Sequence, residues 1–353
     1  MAKTHSFAVT GPSSSLLDGS ARDGQRCSME QTHTLRSIQY LRGLAALAVT
    51  AMHTGWTYSG IGAAGVDIFF VISGFIMVHV SRRETAPLAF LQARALRVVP
   101  LYWLVTFVAL MVRQDADLPR LLTSLAFWPH AGFDGRDYPV IIQGWTLNYE
   151  VFFYITFAAS LLLPTSRQLL ALTAAFSGLI LAGIALHPGS VVAGVYTNPL
   201  LLEFLAGAWL CRVWQRGSLP TGRVAIALAT IGALAFAAQV NIGPSDSWRC
   251  LTWGFPALLI VAGALGVEAG KLLPRVPGLL ALGNASYALY LTHLLVEHPL
   301  QAVLRPLPLP LALPLMLAAC VAVALGVYRW VEQPLARLRP APRRTLAAGW
   351  RQP

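Results

Sequence analysis

The sequence predicts an all-α protein, a polytopic membrane helix bundle of about ten transmembrane helices with both termini cytoplasmic. Three observations predict this fold: 56% of the residues are apolar and only 12% are charged, the mean hydropathy is +0.60, and long apolar runs recur along the chain. A soluble domain usually carries about 25% charged residues. Half that share means that most of the surface faces lipid.

Ten apolar segments of suitable length follow one another along the chain. A helix needs about 20 mostly apolar residues to cross the hydrocarbon core of a bilayer. The segments found with a window of that size are 36–54, 61–80, 97–113, 142–163, 168–187, 198–215, 223–241, 250–268, 278–298 and 309–331. Helix-end signals agree with these bounds, since Pro277 and Pro299 flank the ninth segment.

The distribution of positive charge predicts the orientation of the bundle. With a cytoplasmic N-terminus, 20 of the 26 Lys and Arg residues fall on the inner side and five on the outer side, while Arg42 lies within the first span. Inner loops of membrane proteins carry such an excess of positive charge. An even number of spans agrees, so both termini are predicted to be cytoplasmic.

The sequence outside the spans predicts two tails and no further domain. Residues 1–34 lack an apolar core of signal-peptide length and predict a disordered cytoplasmic tail. Residues 35–333 form the predicted membrane domain, and 334–353 a cytoplasmic tail rich in Pro and Arg. No second soluble domain fits anywhere in the sequence.

Charge and cysteine content exclude two classes of function. The net charge of +11 could suggest nucleic acid, but the basic residues stand in short clusters between apolar stretches, without an aromatic-rich polar platform. This pattern indicates membrane orientation and no nucleic-acid partner. The four cysteines show no paired spacing, so neither a disulfide framework nor a metal motif is predicted.

Arg42 and His53 place two polar groups in the first span. They are eleven residues apart, which brings them within about 20° of the same helix face and about 16 Å apart along the axis. An ionisable side chain inside a span needs a partner, a wet cavity or a task. The pair therefore predicts a polar lumen, the alternative being an arginine that reaches the interface and a packed histidine.

Four further ionisable groups fall at a depth similar to that of His53. They are Asp67 in the second span, Glu150 in the fourth, Glu203 in the sixth and His293 in the ninth. Five such groups from five helices predict a shared cavity. The alternative for the two glutamates is a favourable position near a helix N-terminus.

A basic cluster lies on the predicted inner face. Arg94 and Arg97 are three residues apart, hence neighbours on a helix surface, and Arg82 and Arg83 precede them. Arginine offers a fork of donors suited to phosphate oxygens. The cluster predicts a phosphate site, with simple anchoring on the cytoplasmic side as the alternative.

Seven blocks of sequence then resemble a known family in their order and residues. They are Arg42 through His53, Gly65 to Phe75, Arg94 to Trp103, Gln143 to Tyr154, Asn198 to Gly207, Ser286 to His293, and Glu332 to Pro334. Together they resemble the acyltransferase-3 membrane family, from about residue 35 to 334. The fourth and fifth blocks are similar to its exopolysaccharide O-acetyltransferase branch.

The resemblance implies transfer of an acyl group, usually acetyl from acetyl-CoA, to a carbohydrate hydroxyl at or beyond the bacterial cytoplasmic membrane. The critical arginine and histidine of the family correspond to Arg42 and His53, its glutamate block to Glu150, and its late histidine to His293. Some relatives carry an extracytoplasmic domain that completes the transfer. Since this sequence has none, we expect it to finish the reaction or to hand over to a polysaccharide-assembly partner.

The residues and the resemblance predict one mechanism. The phosphates of acyl-CoA stay at the inner face with the arginines, and the thioester reaches His53, which acts as base toward the acceptor hydroxyl. Glu150 orients or charge-stabilises that imidazole, while His293 binds the acceptor or stabilises the oxyanion. An acyl-histidine intermediate stays open as an alternative to direct transfer.

Five residues are candidates for binding the substrate. They are Asp67, Trp145, Tyr149, Glu203 and Tyr287. Aromatic side chains on the predicted outer side could stack sugars, although interfacial anchoring is the commoner use of such residues. They are Trp56, Tyr58, Trp128, Tyr138 and Trp145.

Other functions remain open at this stage. The acceptor could be an antibiotic or another small molecule. A transporter of a lipid-linked glycan or a small anion would also suit ten spans with embedded charges, but no repeat relates the two halves of the sequence. A non-catalytic scaffold of a polysaccharide-assembly complex is the third alternative.

Overall fold

The computed structural model describes residues 35–55, 60–81, 86–113, 118–130, 139–239 and 248–337. Within these ranges all regular secondary structure is helical, which confirms the predicted all-α class. The predicted tail 1–34 and residues 338–353 lie outside the described residues.

The helices follow one another with short connections. In the first half they are α1 (Arg36–His53), α2 (Ala64–Ser81, preceded by a 3-10 helix at Gly60–Ala63), α3 (Pro87–Arg113), α4 (Leu118–Leu125), α5 (Gly144–Ser160) and α6 (Thr165–Leu186). In the second half they are α7 (Val191–Tyr196), α8 (Leu201–Gln215), α9 (Gly222–Ala238), α10 (Phe255–Ala269), α11 (Pro277–Asn284), α12 (Ser286–Leu304), α13 (Leu309–Val327) and α14 (Gln333–Arg337). Two π-helical segments, Cys250–Gly254 and Tyr328–Glu332, lead into α10 and α14.

Each predicted span overlaps one α-helix of the structure, except the ninth, which overlaps α11 and α12. Six helical stretches of the described chain are long and apolar enough to cross a membrane, or seven if the bent pair α11–α12 forms one span. Large apolar side chains on the outer faces are exposed, as expected where helices meet lipid. The protein is a multi-pass membrane protein, and the count of ten spans stays a prediction.

Three predicted spans fall outside that apolar set: α9 is shorter, while α1 and α5 carry polar residues. Helix α1 has 18 residues and contains Arg42 and His53, and α5 has 17 residues and contains Glu150. Both pack inside the bundle, α1 against α2, α11 and α12, and α5 against α3 and α6. Their polar faces therefore turn toward other helices.

Helix α3 begins earlier than predicted. The predicted third span starts at residue 97, whereas the helix starts at Pro87 and continues through Pro100. The charged residues Arg94 and Arg97 interrupt the apolar window without ending the helix. Both arginines thus stand on one helix together with the apolar stretch that follows.

The predicted ninth span is divided. Helices α11 and α12 meet at a bend of 72°, after the poor helix formers Gly283 and Asn284. Gly283 lies directly against α1, since an added Cβ would stand 2.1 Å from the carbonyl oxygen of Gln39. This contact lets α12 begin beside α1 and run along it.

Helices α2 and α8 cross at van der Waals contact of their backbones. An added Cβ on Gly74 would lie 1.9 Å from the carbonyl oxygen of Phe204, and one on Gly207 would lie 1.9 Å from that of Val71. Small residues allow such close approach between membrane helices. Next to the crossing, the rings of Phe70 and Phe204 stack at 4.6 Å.

Candidate active site

A cavity of about 250 Å³ lies between α1, α2, α3, α5 and α12. Its apolar walls come mainly from α2. Its polar lining consists of Gln39, Arg42, Ser73, Arg97, Thr146, Glu150, Tyr154, Tyr287 and Tyr290. Apolar walls with a few convergent polar groups are typical of small-molecule sites.

Glu150 is the carboxylate of this cavity. It accepts a hydrogen bond of 3.0 Å from the hydroxyl of Ser73 and another from the hydroxyl of Tyr154, one turn further along α5. Arg42 interacts electrostatically with Glu150 and with Arg97. One carboxylate and two guanidinium groups therefore face the same space.

The two site residues of α1 lie in different surroundings. Arg42 lines the cavity, and His53 does not. The Nδ1 atom of His53 lies 2.8 Å from the carbonyl oxygen of Val49. Because a carbonyl only accepts hydrogen bonds, Nδ1 carries the proton and Nε2 keeps a lone pair. The half-buried imidazole stands at the end of α1.

His53 and His293 form a pair. Their ring centroids are 5.0 Å apart, with the planes inclined at 58°. His293 is completely buried, and its Nδ1 lies 3.2 Å from the carbonyl oxygen of Leu289. Its Nε2 has no hydrogen-bond partner among the residues that the structure describes. The structure brings together the two predicted histidines, each with the lone pair on Nε2.

Tyr290 lies between this pair and the cavity. Its ring centroid is 6.2 Å from that of His293 and 6.0 Å from that of Phe69. Its hydroxyl is 2.9 Å from the Oγ1 atom of Thr146. Tyr290 and Phe69 both line the cavity, and Tyr290 also contacts His293.

Asp67 lies in a buried ion pair instead of an open binding site. Its carboxylate accepts hydrogen bonds of 3.0 and 2.8 Å from the guanidinium of Arg249. The guanidinium also stands over the rings of Trp145, at 5.9 Å, and Trp253, at 5.4 Å. Since Asp67 is fully buried, it is not placed to touch a substrate in this arrangement.

Glu203 is also buried, in the first turn of α8, where the helix dipole favours negative charge. Its carboxyl group lies next to that of Asp67 and against the backbone of Gly254, where an added Cβ would stand 2.7 Å from Oε1. The carboxyl groups of Glu203 and Asp67 are close enough to share a hydrogen bond. Glu203 thus lies near a helix N-terminus, as the alternative for this residue had it, and a role in binding substrate stays a prediction.

The expectation of one cavity shared by five ionisable groups is wrong. Of these groups only Glu150 lines the cavity, while the two histidines pair with each other and Asp67 and Glu203 gather around Arg249. The predicted depths identify residues that lie at a similar level of the bundle. The side chains still form three separate groups, because they point in different directions around their helices.

The aromatic candidates also divide. Tyr287 lines the cavity and donates a hydrogen bond of 2.8 Å to the carbonyl oxygen of Val98. Tyr149 is only 5% exposed, with its ring centroid 5.9 Å from that of Phe70. Trp145 packs against Arg249. Of the three, only Tyr287 meets the open space described.

Of the four predicted phosphate-binding arginines, the structure describes Arg94 and Arg97. Arg97 lines the cavity, whereas Arg94 is 8% exposed and its guanidinium stands 5.8 Å from the ring centroid of Phe90. Arg82 and Arg83 lie outside the described residues. Among the described residues no group of three or more His, Cys, Asp or Glu side chains could hold a metal ion.

Sequence reasoning missed several residues of these sites. Tyr154 follows Glu150 by four residues, a spacing that puts both on one helix face and could have identified it. Ser73 stands within a motif that was recognised, but without an assigned role. Arg249 was counted as an outer charge, and no local pattern points to its partner on α2.

Comparisons with known proteins agree with the sequence blocks. The family model described as "Acyltransferase domain" matches residues 35–329. The Exopolysaccharide production protein ExoZ of Rhizobium meliloti (strain 1021) is 41% identical over 246 residues, which cover 66% of this chain and 76% of that protein. No solved structure shows a significant match.

Two further relatives have names that describe acyl transfer. The Putative membrane-bound transacylase BcsY of Komagataeibacter xylinus is 31% identical, over 73% of this chain and 72% of that protein. The Peptidoglycan O-acetyltransferase OatA of Listeria monocytogenes is 26% identical, over 75% of this chain and 46% of that protein.

Proposed function

The chain belongs to the acyltransferase-3 family and is a membrane acyltransferase of the exopolysaccharide O-acetyltransferase-like branch, and on this premise we propose its reaction. It moves an acyl group, acetyl in the first instance, from cytoplasmic acyl-CoA to a hydroxyl of an exopolysaccharide or lipid-linked glycan. The single observation that carries this proposal is a cavity with Arg42, Arg97 and Glu150 inside a helix bundle of that family.

The size of the cavity supports a bound thioester arm. Pockets that enclose whole small molecules measure about 300 to 1,000 Å³, and this one has about 250 Å³. The acyl-pantetheine end therefore enters, while the nucleotide stays at the inner face. Arg97 is the arginine we assign to the donor, because Arg94 packs against Phe90. Arg82 and Arg83 would meet the phosphates outside.

The histidine pair supports base catalysis. The Nε2 atom of His53 accepts the proton of the acceptor hydroxyl, the alkoxide oxygen attacks the thioester carbonyl, and the C–S bond breaks. The imidazolium then returns its proton to the thiolate, so the reaction releases no net proton. His293, in contact with His53, binds the acceptor or stabilises the oxyanion.

The donor must pass Tyr290 and Phe69 to meet the imidazole. We propose that these two rings move aside when the acyl arm fills the cavity. Glu150 then acts within the cavity, where with Arg42 it fixes the thioester, and it does not orient His53. An acyl-histidine would form instead if the thioester acylated His53 before the acceptor arrived.

The acceptor side follows the names of the relatives. The relatives named for exopolysaccharide production and for O-acetylation support a glycan hydroxyl as acceptor. Tyr287 is the candidate acceptor or donor contact inside the cavity. The other four candidates would support the walls of the cavity without touching the substrate, because they pack around Arg249 and Phe70. They are Trp145, Tyr149, Asp67 and Glu203. Polysaccharide-assembly proteins would be its partners.

The test measures thioester cleavage by the purified protein with acetyl-CoA and a glycan acceptor. We expect His53→Ala to lower turnover by about 100-fold or more, the usual contribution of a positioned base. The control is His187→Asn, because His187 is exposed and its positive φ suits asparagine. Full turnover in His53→Ala would exclude His53 as the base.

Two outcomes would decide between the remaining alternatives. A covalent acyl group found on His53 in the absence of acceptor would replace direct transfer by the acyl-enzyme route. Glycan movement across vesicles without any thioester cleavage would indicate a transporter.

A further inference from the structure

Glu297 lies on the face of α12 that meets the end of α1. His293, Glu297 and Gln301 follow at intervals of four residues, so each is turned by about 40° from the one before. The ring of His293 contacts that of His53, and the side-chain amide of Gln301 donates a hydrogen bond of 3.0 Å to the carbonyl oxygen of Thr54. Glu297 stands midway between these two contacts and therefore faces the same end of α1.

The carboxyl group of Glu297 is buried without a hydrogen bond. The residue is 2% exposed, and neither oxygen finds a partner in the ranges that the structure describes. A buried charge without a partner is costly. Native proteins keep such groups rarely, and each one requires an explanation.

No ion pair joins Glu297 to another residue in the described ranges. Helix α13 contributes Cys320, whose charge, if formed, would meet that of Glu297, and whose thiol lies 3.9 Å from the carbonyl oxygen of His293. From α1 the neighbouring ionisable group is His53, which pairs with His293, and on α12 His298 follows Glu297 directly and acts on His293. The imidazoles at this end of α12 are thus the groups on which a positive charge can arise beside Glu297.

We propose that Glu297 is a positioning residue of the His53–His293 pair, and that its carboxylate is the counter-charge of the imidazolium formed there during acyl transfer. This assignment rests on the proposed function. Glu297 then has the role that the sequence analysis suggested for Glu150, which is to orient or charge-stabilise the imidazole of His53. Glu150 lines the cavity and is held by Ser73 and Tyr154, so it is engaged elsewhere.

The proton movements balance with Glu297 as a spectator. The O–H bond of the acceptor breaks as its proton moves to Nε2 of His53, and the pair becomes positively charged. The carboxylate of Glu297 stabilises this charge without taking the proton. When the C–S bond has broken, the proton passes to the thiolate and the pair is neutral again.

This role explains why the carboxyl group has no partner at rest. Its cation exists only while the hydroxyl is deprotonated, so the interaction is stronger in the transition state than in the ground state. Only interactions of that kind accelerate the chemical step. The burial of Glu297 strengthens the effect, because charges interact more strongly where water is excluded.

The experiment compares Glu297→Gln and Glu297→Asp with Gln301→Ala in the full-length protein. Glutamine keeps the size of the side chain and removes its charge. We expect Glu297→Gln to lower kcat by about 100-fold, as expected for loss of one preorganised electrostatic partner, with an unchanged KM for acetyl-CoA. Glu297→Asp should recover part of kcat. Gln301→Ala removes a contact between the same helices and should keep kcat within about twofold.

A second measurement does not depend on catalysis. The rate at which diethylpyrocarbonate modifies His53, followed by peptide mass spectrometry, reports the reactivity of its imidazole. At alkaline pH, where the imidazole is neutral in every variant, we expect slower modification in Glu297→Gln than in wild type and in Gln301→Ala, because the nearby negative charge makes the neutral imidazole more nucleophilic. A variant that failed to fold would instead expose His53 and speed up its modification.

The outcomes separate this inference from the proposed function. Unchanged kcat and unchanged modification of His53 in Glu297→Gln would overturn the inference. Equal loss in the Gln and Asp variants, with a raised KM, would also overturn it, since that indicates a packing role. Full turnover in His53→Ala would overturn the proposed base, whereas the modification rate would still decide whether Glu297 acts on His53.

Discussion

Arg42 and Arg97 approach one cavity from different helices, and Glu150 is the carboxylate among the lining residues. The charge of Glu332 also acts on Arg42, so the cavity offers two guanidinium donors beside apolar walls, with two carboxylates near them. Such a site favours an electron-rich group, and the carbonyl and phosphates of an acyl-CoA offer several. Arg42 and Arg97 thus give a reason why an anionic donor would enter the cavity from the side on which they lie.

The first prediction concerns Arg97. We expect Arg97→Ala to raise the KM for acetyl-CoA by about tenfold or more, since a hydrogen bond from a charged donor contributes roughly 1.5–3 kcal/mol. Turnover at saturation should change less, because the contact is made in both bound states. Steady-state kinetics with varied donor measures it. The control is Arg223→Ala, a change of equal charge at an exposed site on α9; an unchanged KM in Arg97→Ala would remove Arg97 from the donor site.

Single residues were predicted unevenly from the sequence. The similar depth of His53 and His293 in their spans predicted that they lie close together. The motif blocks predicted Arg42 and Glu150 as site residues. The partner of Asp67 could not be predicted, because Arg249 is 182 positions away and stands in an apparent loop. Glu297 was overlooked although it follows His293 by one helical turn, since nothing in its local pattern distinguishes it from an interfacial carboxylate.

At the scale of elements, apolar length predicted the helices and failed where polar residues or breaks interrupt it. The window method placed a helix at each of ten positions because burial in lipid demands long apolar stretches. It shortened α3 at Arg97 and joined α11 to α12, because Gly283 and Asn284 lie within an otherwise apolar window. The bend depends on the contact of Gly283 with α1, which is a tertiary interaction.

The second prediction concerns the crossing of α2 and α8. We expect Gly74→Val to lower the free energy of unfolding by about 3 kcal/mol or more, because its Cβ would overlap a backbone carbonyl that cannot move aside. Thermal unfolding and the yield of folded protein in detergent measure it. Gly178→Ala on α6, where an added Cβ meets nothing within 4 Å, should unfold at the same or a higher temperature. A Gly74→Val protein of normal stability would contradict the close crossing.

At the scale of the whole molecule, charged residues lie on the surface and also at several places inside the bundle. The positive-inside bias predicts the orientation, and the locations of the termini stay predictions. Inside the bundle, Asp67 and Arg249 join α2 to the π-helical start of α10. This buried pair thus links helices that are distant in the sequence.

The third prediction tests that link. We expect Arg249→Met to destabilise the fold by about 3–5 kcal/mol, because it leaves Asp67 buried and unpaired beside Glu203. Adding Asp67→Asn should restore part of the loss. The matched control is Arg36→Met at the partly exposed pair with Glu268, 3.6 Å apart, where at most about 1 kcal/mol is expected. Equal unfolding temperatures for both single variants would show that the buried pair has no special weight.

The side chains of Tyr290 and Phe69 have a consequence for the cell's energy supply. A continuous file of water through this bundle would conduct protons down the membrane potential and dissipate the gradient that drives ATP synthesis. On the proposed donor route, two rings standing across the file at rest would keep the enzyme electrically tight. The same closure would keep water on the acceptor side from hydrolysing a bound thioester, so that acyl groups would not be wasted when no sugar is present.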